Sequence, residues 1–318
     1  MKTINKVTFI VLSLIALACD DIFEKDITND KTELIYPLSG TIVKSNTVDF
    51  QWNKLEGANK YKVQIFSMDQ SLILEKVVEE TNLSYTFIAG GQYQWRVRGE
   101  NFAYQSSYSQ KTSFNVLISN DLTTQQVALL SPQDNRYTNS NNVLLNWQGI
   151  SSATTYTIEV INTTNGQMAY GATNLTETSV NLNNTNLSKD APYQWRVRAV
   201  NSTSQTPFAT RIFFIDTVNP NQPENSTPAN NSSHSINSQI SFSWSIAPDS
   251  GIVQSPVTYL FQIASDVDFG TLIQTSNVSS TSLQQSFSTA GTYFWRVKAN
   301  DTAGNVSSAS PVYKFTIN

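Results

Sequence analysis

"YQWRVR" at residues 93–98, "YQWRVR" again at 193–198 and "YFWRVK" at 293–298 recur at intervals of one hundred residues in a chain of 318. In the first copy Tyr93, Trp95 and Val97 fall on one side of an extended backbone, and Gln94, Arg96 and Arg98 fall on the other. That is the period-two pattern of a strand with one buried face. The second copy continues as Tyr193, Trp195, Val197 and Ala199, the third as Tyr293, Trp295, Val297 and Ala299. A catalytic motif is seldom needed in triplicate, whereas each hydrophobic core needs its own strand, so three copies imply three cores.

The surroundings of the hexapeptide repeat as well. Upstream, an alternating strand ends in tryptophan three times: Val48, Phe50, Trp52; Val143, Leu145, Trp147; and Ile240, Phe242, Trp244. The next strand opens on tyrosine: Tyr61, Val63, Ile65; Tyr156, Ile158, Val160; and Tyr259, Phe261, Ile263. All six tryptophans are thereby placed, two per unit. Each unit begins with a proline-bearing segment (YPLSG from 36, LSPQDN from 130, STPANN from 226), suited to an edge strand because proline cannot donate to a ladder. Each closes on a further alternating strand through Phe114, Phe213 or Phe315. Asn165-Gly166 marks a tight hairpin. Short strands punctuated by turns, in units of about ninety residues, predict an all-β chain of three tandem antiparallel β-sandwiches over residues 33–118, 127–216 and 223–318. The linkers, 119–126 and 217–222, are short enough to limit bending, which predicts a rod.

With tryptophan ending the second strand and tyrosine opening the sixth, the units resemble fibronectin type III domains. The resemblance implies that Tyr93, Tyr193 and Tyr293 form the corner whose hydroxyl bonds back to an earlier loop, with the six tryptophans in the core. Immunoglobulin domains are less similar, since this chain has a single cysteine. The fold is a scaffold and implies no activity.

The N-terminus has Lys2 and Lys6, then an apolar run from Val7 to Ala18 that is too short to span a bilayer and fits a secretory leader over residues 1–18. Cys19 follows Ala16-Leu17-Ala18. This resembles a bacterial lipoprotein signal, which implies lipidation of Cys19 as the membrane anchor. The following CDDIFEKDITND, residues 19–30, resembles the acidic tether of Bacteroidetes lipoproteins and implies an outer-membrane or cell-surface location. Asp20 directly after the cysteine would instead imply inner-membrane retention under enterobacterial sorting. Residues 19–32 carry a net charge of −3 against 0, 0 and −2 for the three units, and read as a solvated spacer.

Little catalytic chemistry is legible. A net charge of −4 with only 14% charged residues leaves no basic face for nucleic acid. The one histidine, His234, lies in a polar stretch with no cysteine or second histidine to share zinc, and no glycine-rich phosphate loop is present. Glu79 and Glu80 are adjacent and would face opposite ways on a strand, unlike the converging pair of a glycosidase. Asp266-Val267-Asp268-Phe269-Gly270 reads as an acidic turn, lacking the further ligands of a calcium loop. No catalytic residue, cofactor or metal is expected. The outward pairs Arg96/Arg98, Arg196/Arg198 and Arg296/Lys298 either meet anionic glycans or cover the sheet and pair across strands. Phe102, Tyr104 and Tyr108, in the loop after the sixth strand of the first unit, are the candidate ligand contacts; the alternative is that they staple the loop to the sandwich. The expectation is a non-catalytic lipid-anchored protein that binds, adheres or spaces, its partner a protein or a glycan. The alternatives are a glycan-binding surface lipoprotein of a polysaccharide-utilisation system and, after it, an unrecognised hydrolase.

Overall fold

In the computed structural model, which describes residues 24–187 and 190–318, every hexapeptide lies in the middle strand of a five-stranded sheet. These middle strands are Gly91–Glu100, Ala191–Val200 and Gly291–Asp301. In the second sandwich the five strands run in the order Arg136–Thr138, Ala209–Ile215, Ala191–Val200, Thr155–Asn162, Met168–Leu175. A three-stranded sheet of Ser179–Leu182, Val143–Trp147 and Leu129–Ser131 completes the sandwich. The same order of eight strands recurs between Leu34 and Val116 and between Asn225 and Ile317. Among the described residues the only helical turn is a 3-10 turn at Leu122–Thr124. By contact density the second and third sandwiches belong to one compact unit, which takes in Asn115–Asn318 together with Ile42–Val48 and Tyr85–Gly91.

Alternation becomes burial. Trp95, Trp195 and Trp295 are all at 0% exposure, and Trp52, Trp147 and Trp244 are buried opposite them. In the first core Phe50 stands edge-on to Trp95 with ring centroids 4.9 Å apart; in the third, Phe242 does the same to Trp295 at 5.3 Å. Tyr193 and Tyr293 are buried and Tyr93 is half-buried, each against the phenylalanine of the closing strand: Tyr93 on Phe114, Tyr193 on Phe213, Tyr293 on Phe315. The Tyr293 hydroxyl donates to the Thr289 carbonyl at 2.8 Å, the corner bond the resemblance implies.

Three features depart from the sequence reading. The proline-bearing segments are not single edge strands: each breaks at the proline and changes sheets. Leu129–Ser131 pairs antiparallel with the three-stranded sheet, while Arg136–Thr138, beyond Pro132, pairs parallel with Ala209–Ile215. Proline has no amide proton to continue the first ladder, so the chain leaves it there. His234 lies on a strand, Ser232–His234, rather than in a loop, because this segment pairs parallel with Tyr313–Ile317. The last part of the acidic stretch, residues 25–32, is docked rather than solvated. Ile27 is at 0% exposure, the Asp30 carbonyl accepts from the Ser107 amide at 3.1 Å, and a Cβ added to Gly57 (φ +90°) would meet Lys25 Cβ at 2.9 Å. A buried isoleucine and a glycine that admits the side chains of Lys25 and Ile27 outweigh the local charge.

The core predicts its own sensitivities. Trp195→Ala should destabilise the second sandwich by about 3–5 kcal/mol, the range for deleting a large buried aromatic. Tyr293→Phe, which removes one hydrogen bond and no packing, should cost about 1 kcal/mol. Urea unfolding followed by far-ultraviolet circular dichroism reads both.

Candidate functional site

With each proline-bearing segment counted as one strand, so that the tryptophan-ended strand is the second and the hexapeptide strand the sixth, a tyrosine hydroxyl shapes the loop after the second strand in all three copies. Tyr61 Oη accepts from the Leu55 amide at 3.0 Å, Tyr156 Oη from Ile150 at 2.8 Å, and Tyr259 Oη from Ala247 at 3.1 Å. Each amide belongs to the third residue after the tryptophan, so the loop is held just before the fifth: Gly57, Ser152 or Asp249. That residue faces the start of the turn after the sixth strand, at Asn101, Asn201 or Asp301.

In the first two copies this turn is closed by asparagine. Asn101 Oδ1 accepts from the amides of Ala103 at 3.1 Å and Tyr104 at 2.7 Å. Its Nδ2 donates to the carbonyls of Lys25 at 2.9 Å and Gly57 at 2.8 Å. Asn201 repeats the arrangement, accepting from Thr203 and Ser204 and donating to Asn120 at 3.0 Å and Ser152 at 3.1 Å. Serine and threonine hydroxyls then fasten the returning loop to the middle strand: Ser106 and Ser109 accept from Gly99 and Val97, Thr206 from Ala199, Ser307 and Ser310 from Ala299 and Val297. The polar composition that reads as surface thus supplies part of the ladder.

On this anchored turn the three candidate aromatics separate. Phe102 is 93% exposed and Tyr104 36% exposed, at the tip. Tyr108 is half-buried and lies flat on the sheet, with the guanidinium carbons of Arg96 and Arg98 at 4.1 and 4.9 Å from its ring centre. Phe208 holds the same place over Arg196 and Arg198 at 4.5 and 4.8 Å, so Tyr108 is a part of the scaffold rather than a ring offered to a ligand. Four of the arginines are committed as well, whereas Arg198 Nε is buried with no hydrogen-bond partner. Arg96 Nε donates to Gln64 at 2.8 Å, Arg196 Nε to Glu159 at 2.7 Å and Arg296 Nε to Gln262 at 2.9 Å, each partner directly opposite on the neighbouring strand. Arg98 Nη2 pairs with Glu100 at 2.7 Å.

Asp266 closes a turn by itself: Oδ1 accepts from the Asp268 and Gly270 amides and Oδ2 from Thr271 at 2.7 Å. Those bonds, the one from Gly270 foremost, hold its pKa below the usual carboxylate value. Acidic groups do converge elsewhere. Asp216, Asp249 and Asp301 are all buried, and one carboxylate oxygen of each lies within 4.8 Å of the others. Burial foremost, then the neighbouring Asp249 carboxylate, pushes the Asp216 pKa up to about 6, against partial relief from Ser255 and the Val218 amide. Spacing within a single stretch does not show this cluster, because its residues come from three separate segments: Asp216 after a strand, Asp249 in a loop and Asp301 at the end of the central strand. Cys19 and the leader lie outside the described residues.

No family model matches this chain, and no curated protein matches it. Among solved structures it is similar to the FN1–FN3 domains of chicken CNTN1, with 16% identity over 91% of this chain and 97% of that one, at a TM-score of 0.39. It is also similar to the fibronectin(III)-like modules of Clostridium thermocellum CbhA, with 14% identity over 61% of this chain and 94% of that one, at a TM-score of 0.40.

Exposure separates the aromatics energetically. Phe102→Ala should leave stability within about 0.5 kcal/mol. Tyr108→Ala should cost about 1–2 kcal/mol through lost cation–π contact and sheet cover. Thermal melts of the two variants check both.

Proposed function

We propose that this chain is a non-catalytic, lipid-anchored cell-envelope protein whose sandwiches serve as a binding, adhesion or spacer module. The observation that carries the binding role is Phe102, an almost fully exposed ring on a turn pinned by four hydrogen bonds through Asn101. An exposed aromatic on a rigid turn is ready to be buried against a partner at little entropic cost. Tyr104 beside it gives a second, partly exposed ring. Exposed rings on one turn also stack on the apolar faces of sugars, which supports a glycan as the alternative to a protein partner. The anchor rests on the sequence: two lysines, a twelve-residue apolar run, and the chain's one cysteine at position 19. Several acyl chains at Cys19, each methylene contributing about 0.8 kcal/mol on insertion, would hold it stably to a membrane.

Two measurements test this. In the producing bacterium, radiolabelled palmitate should enter the parent chain and not Cys19→Ala. A chain beginning at Glu24, screened on glycan arrays and on envelope-protein fractions, should bind a partner that the Phe102→Ala/Tyr104→Ala double variant binds at least about tenfold more weakly. Binding undiminished in that variant would remove the turn from the reading.

A further inference from the structure

The three copies place different chemistry at one equivalent set of positions. The set comprises the residue nine before the first strand, the fifth residue after the first tryptophan, and the residue that opens the turn after the sixth strand. In the first copy these are Lys25, Gly57 and Asn101; in the second, Asn120, Ser152 and Asn201; in the third, Asp216, Asp249 and Asp301. In the first two copies a side-chain amide bridges two backbone carbonyls, so two N–H donors fill the space between three segments. In the third, that asparagine has become Asp301, which has no N–H to give, and the other two positions have become carboxylates as well.

What remains is a pocket of acceptors short of positive charge. Asp301 accepts from Gly304, Asn305 and the Asn305 side chain, at 2.7 to 2.8 Å. Asp249 accepts from the Ser250 amide at 2.8 Å and the Ser255 amide at 2.7 Å. Asp216, at 0% exposure, accepts a long bond from the Val218 amide to Oδ1 at 3.3 Å and has the Ser255 hydroxyl nearby, but its Oδ2 is buried with no hydrogen-bond partner. Among the described residues no salt bridge reaches any of the three. Three carboxylates withdrawn from water and this close cannot all be ionised without a counter-charge.

We infer that Asp216, Asp249 and Asp301 form a calcium site, in which one cation neutralises the three carboxylates while the Asn305 amide takes over the grip on the incoming carbonyl. The distances agree. Oxygens that share a calcium at about 2.3–2.6 Å can be no more than about 5.2 Å apart, and these lie within 4.8 Å. An all-oxygen donor set selects a hard cation over zinc or copper. Ligands brought from three separate segments of the chain suit the loose shell of six to eight oxygens around calcium better than the strict octahedron of magnesium. The neighbourhood is held in place from both sides. Asn305 Nδ2 ties the Asp216 carbonyl to Asp301, and Asp190 of the second sandwich accepts from the amides of Ile252 and Val253, the latter at 3.1 Å, in the loop that carries Asp249. The cation therefore links the chain leaving the second sandwich to two loops of the third.

The experiment is a calorimetric titration of the chelator-stripped full chain with CaCl2 at neutral pH, paired with thermal melts in CaCl2 and in EDTA. The parent should bind one calcium per chain, with Tm raised by about 4 °C or more at saturation. Asp301→Asn puts the asparagine of the other copies at this position and removes one carboxylate. It should fold, melt in EDTA no lower than the parent, and lose at least tenfold in calcium affinity; Asp216→Asn provides a second variant with the same expected loss. A parent that gives neither heat nor a Tm shift with calcium would overturn the inference and leave the three acids sharing a proton. Calcium binding undiminished in both variants would overturn it too, by placing the ion elsewhere.

Discussion

A tryptophan at the middle of each central strand, Trp95, Trp195 or Trp295, is wholly withdrawn from water, and burying so large a ring takes two sheets at once. The five-stranded sheet supplies the tryptophan; the opposite sheet supplies Phe50, Leu145 or Phe242 and a second tryptophan at its strand end. Because the side-chain period of a strand is two, a one-residue slip would turn the whole buried set outward, so the indole also sets register. The observed pairing of Val160 with Trp195, and of Trp195 with Arg211 on the other side, follows from that requirement.

From the core the constraint passes outward through hydroxyls. Tyr61, Tyr156 and Tyr259 are buried by their rings, and their oxygens, having no water, take an amide of the loop after the second strand. That bond sets where the loop meets the turn after the sixth strand. The turn in the first copy presents Phe102, the same turn in the second presents nothing comparable, and in the third it contributes to an acidic pocket. One scaffold position therefore carries an exposed ring or a cluster of carboxylates according to a few residues that the core does not constrain.

The incoming segment takes part in the first two copies in the same way. Ile27 and Leu122 are both at 0% exposure, each two residues after the carbonyl that the asparagine amide grips. What reads as tether or linker is the first structural segment of the sandwich that follows, secured by an apolar side chain and a backbone carbonyl. A partner bound at the Phe102 turn would accordingly meet residues 25–32 as part of the same surface, since Ser107 and Asn101 both bond to that segment.

Three sandwiches, their strand order of tryptophan and tyrosine, and the inward faces were legible in the sequence, because burial on one face of a strand writes a period-two pattern that neighbouring residues record directly. The hairpin at Asn165-Gly166 was legible for a similar local reason: Gly166 adopts φ +71°, which glycine accepts without strain. Tertiary structure alone separated Tyr108 from Phe102. Both are aromatic residues of one polar loop, and only the position of Arg96 and Arg98 beneath the first makes it part of the sheet's cover. It also decided that residues 25–32 are docked, since the glycine that admits them, Gly57, is distant along the chain. The meeting of Asp216, Asp249 and Asp301 was likewise settled in three dimensions: proximity between loops is a property of how sheets stack and chains return, and no single stretch of sequence contains it.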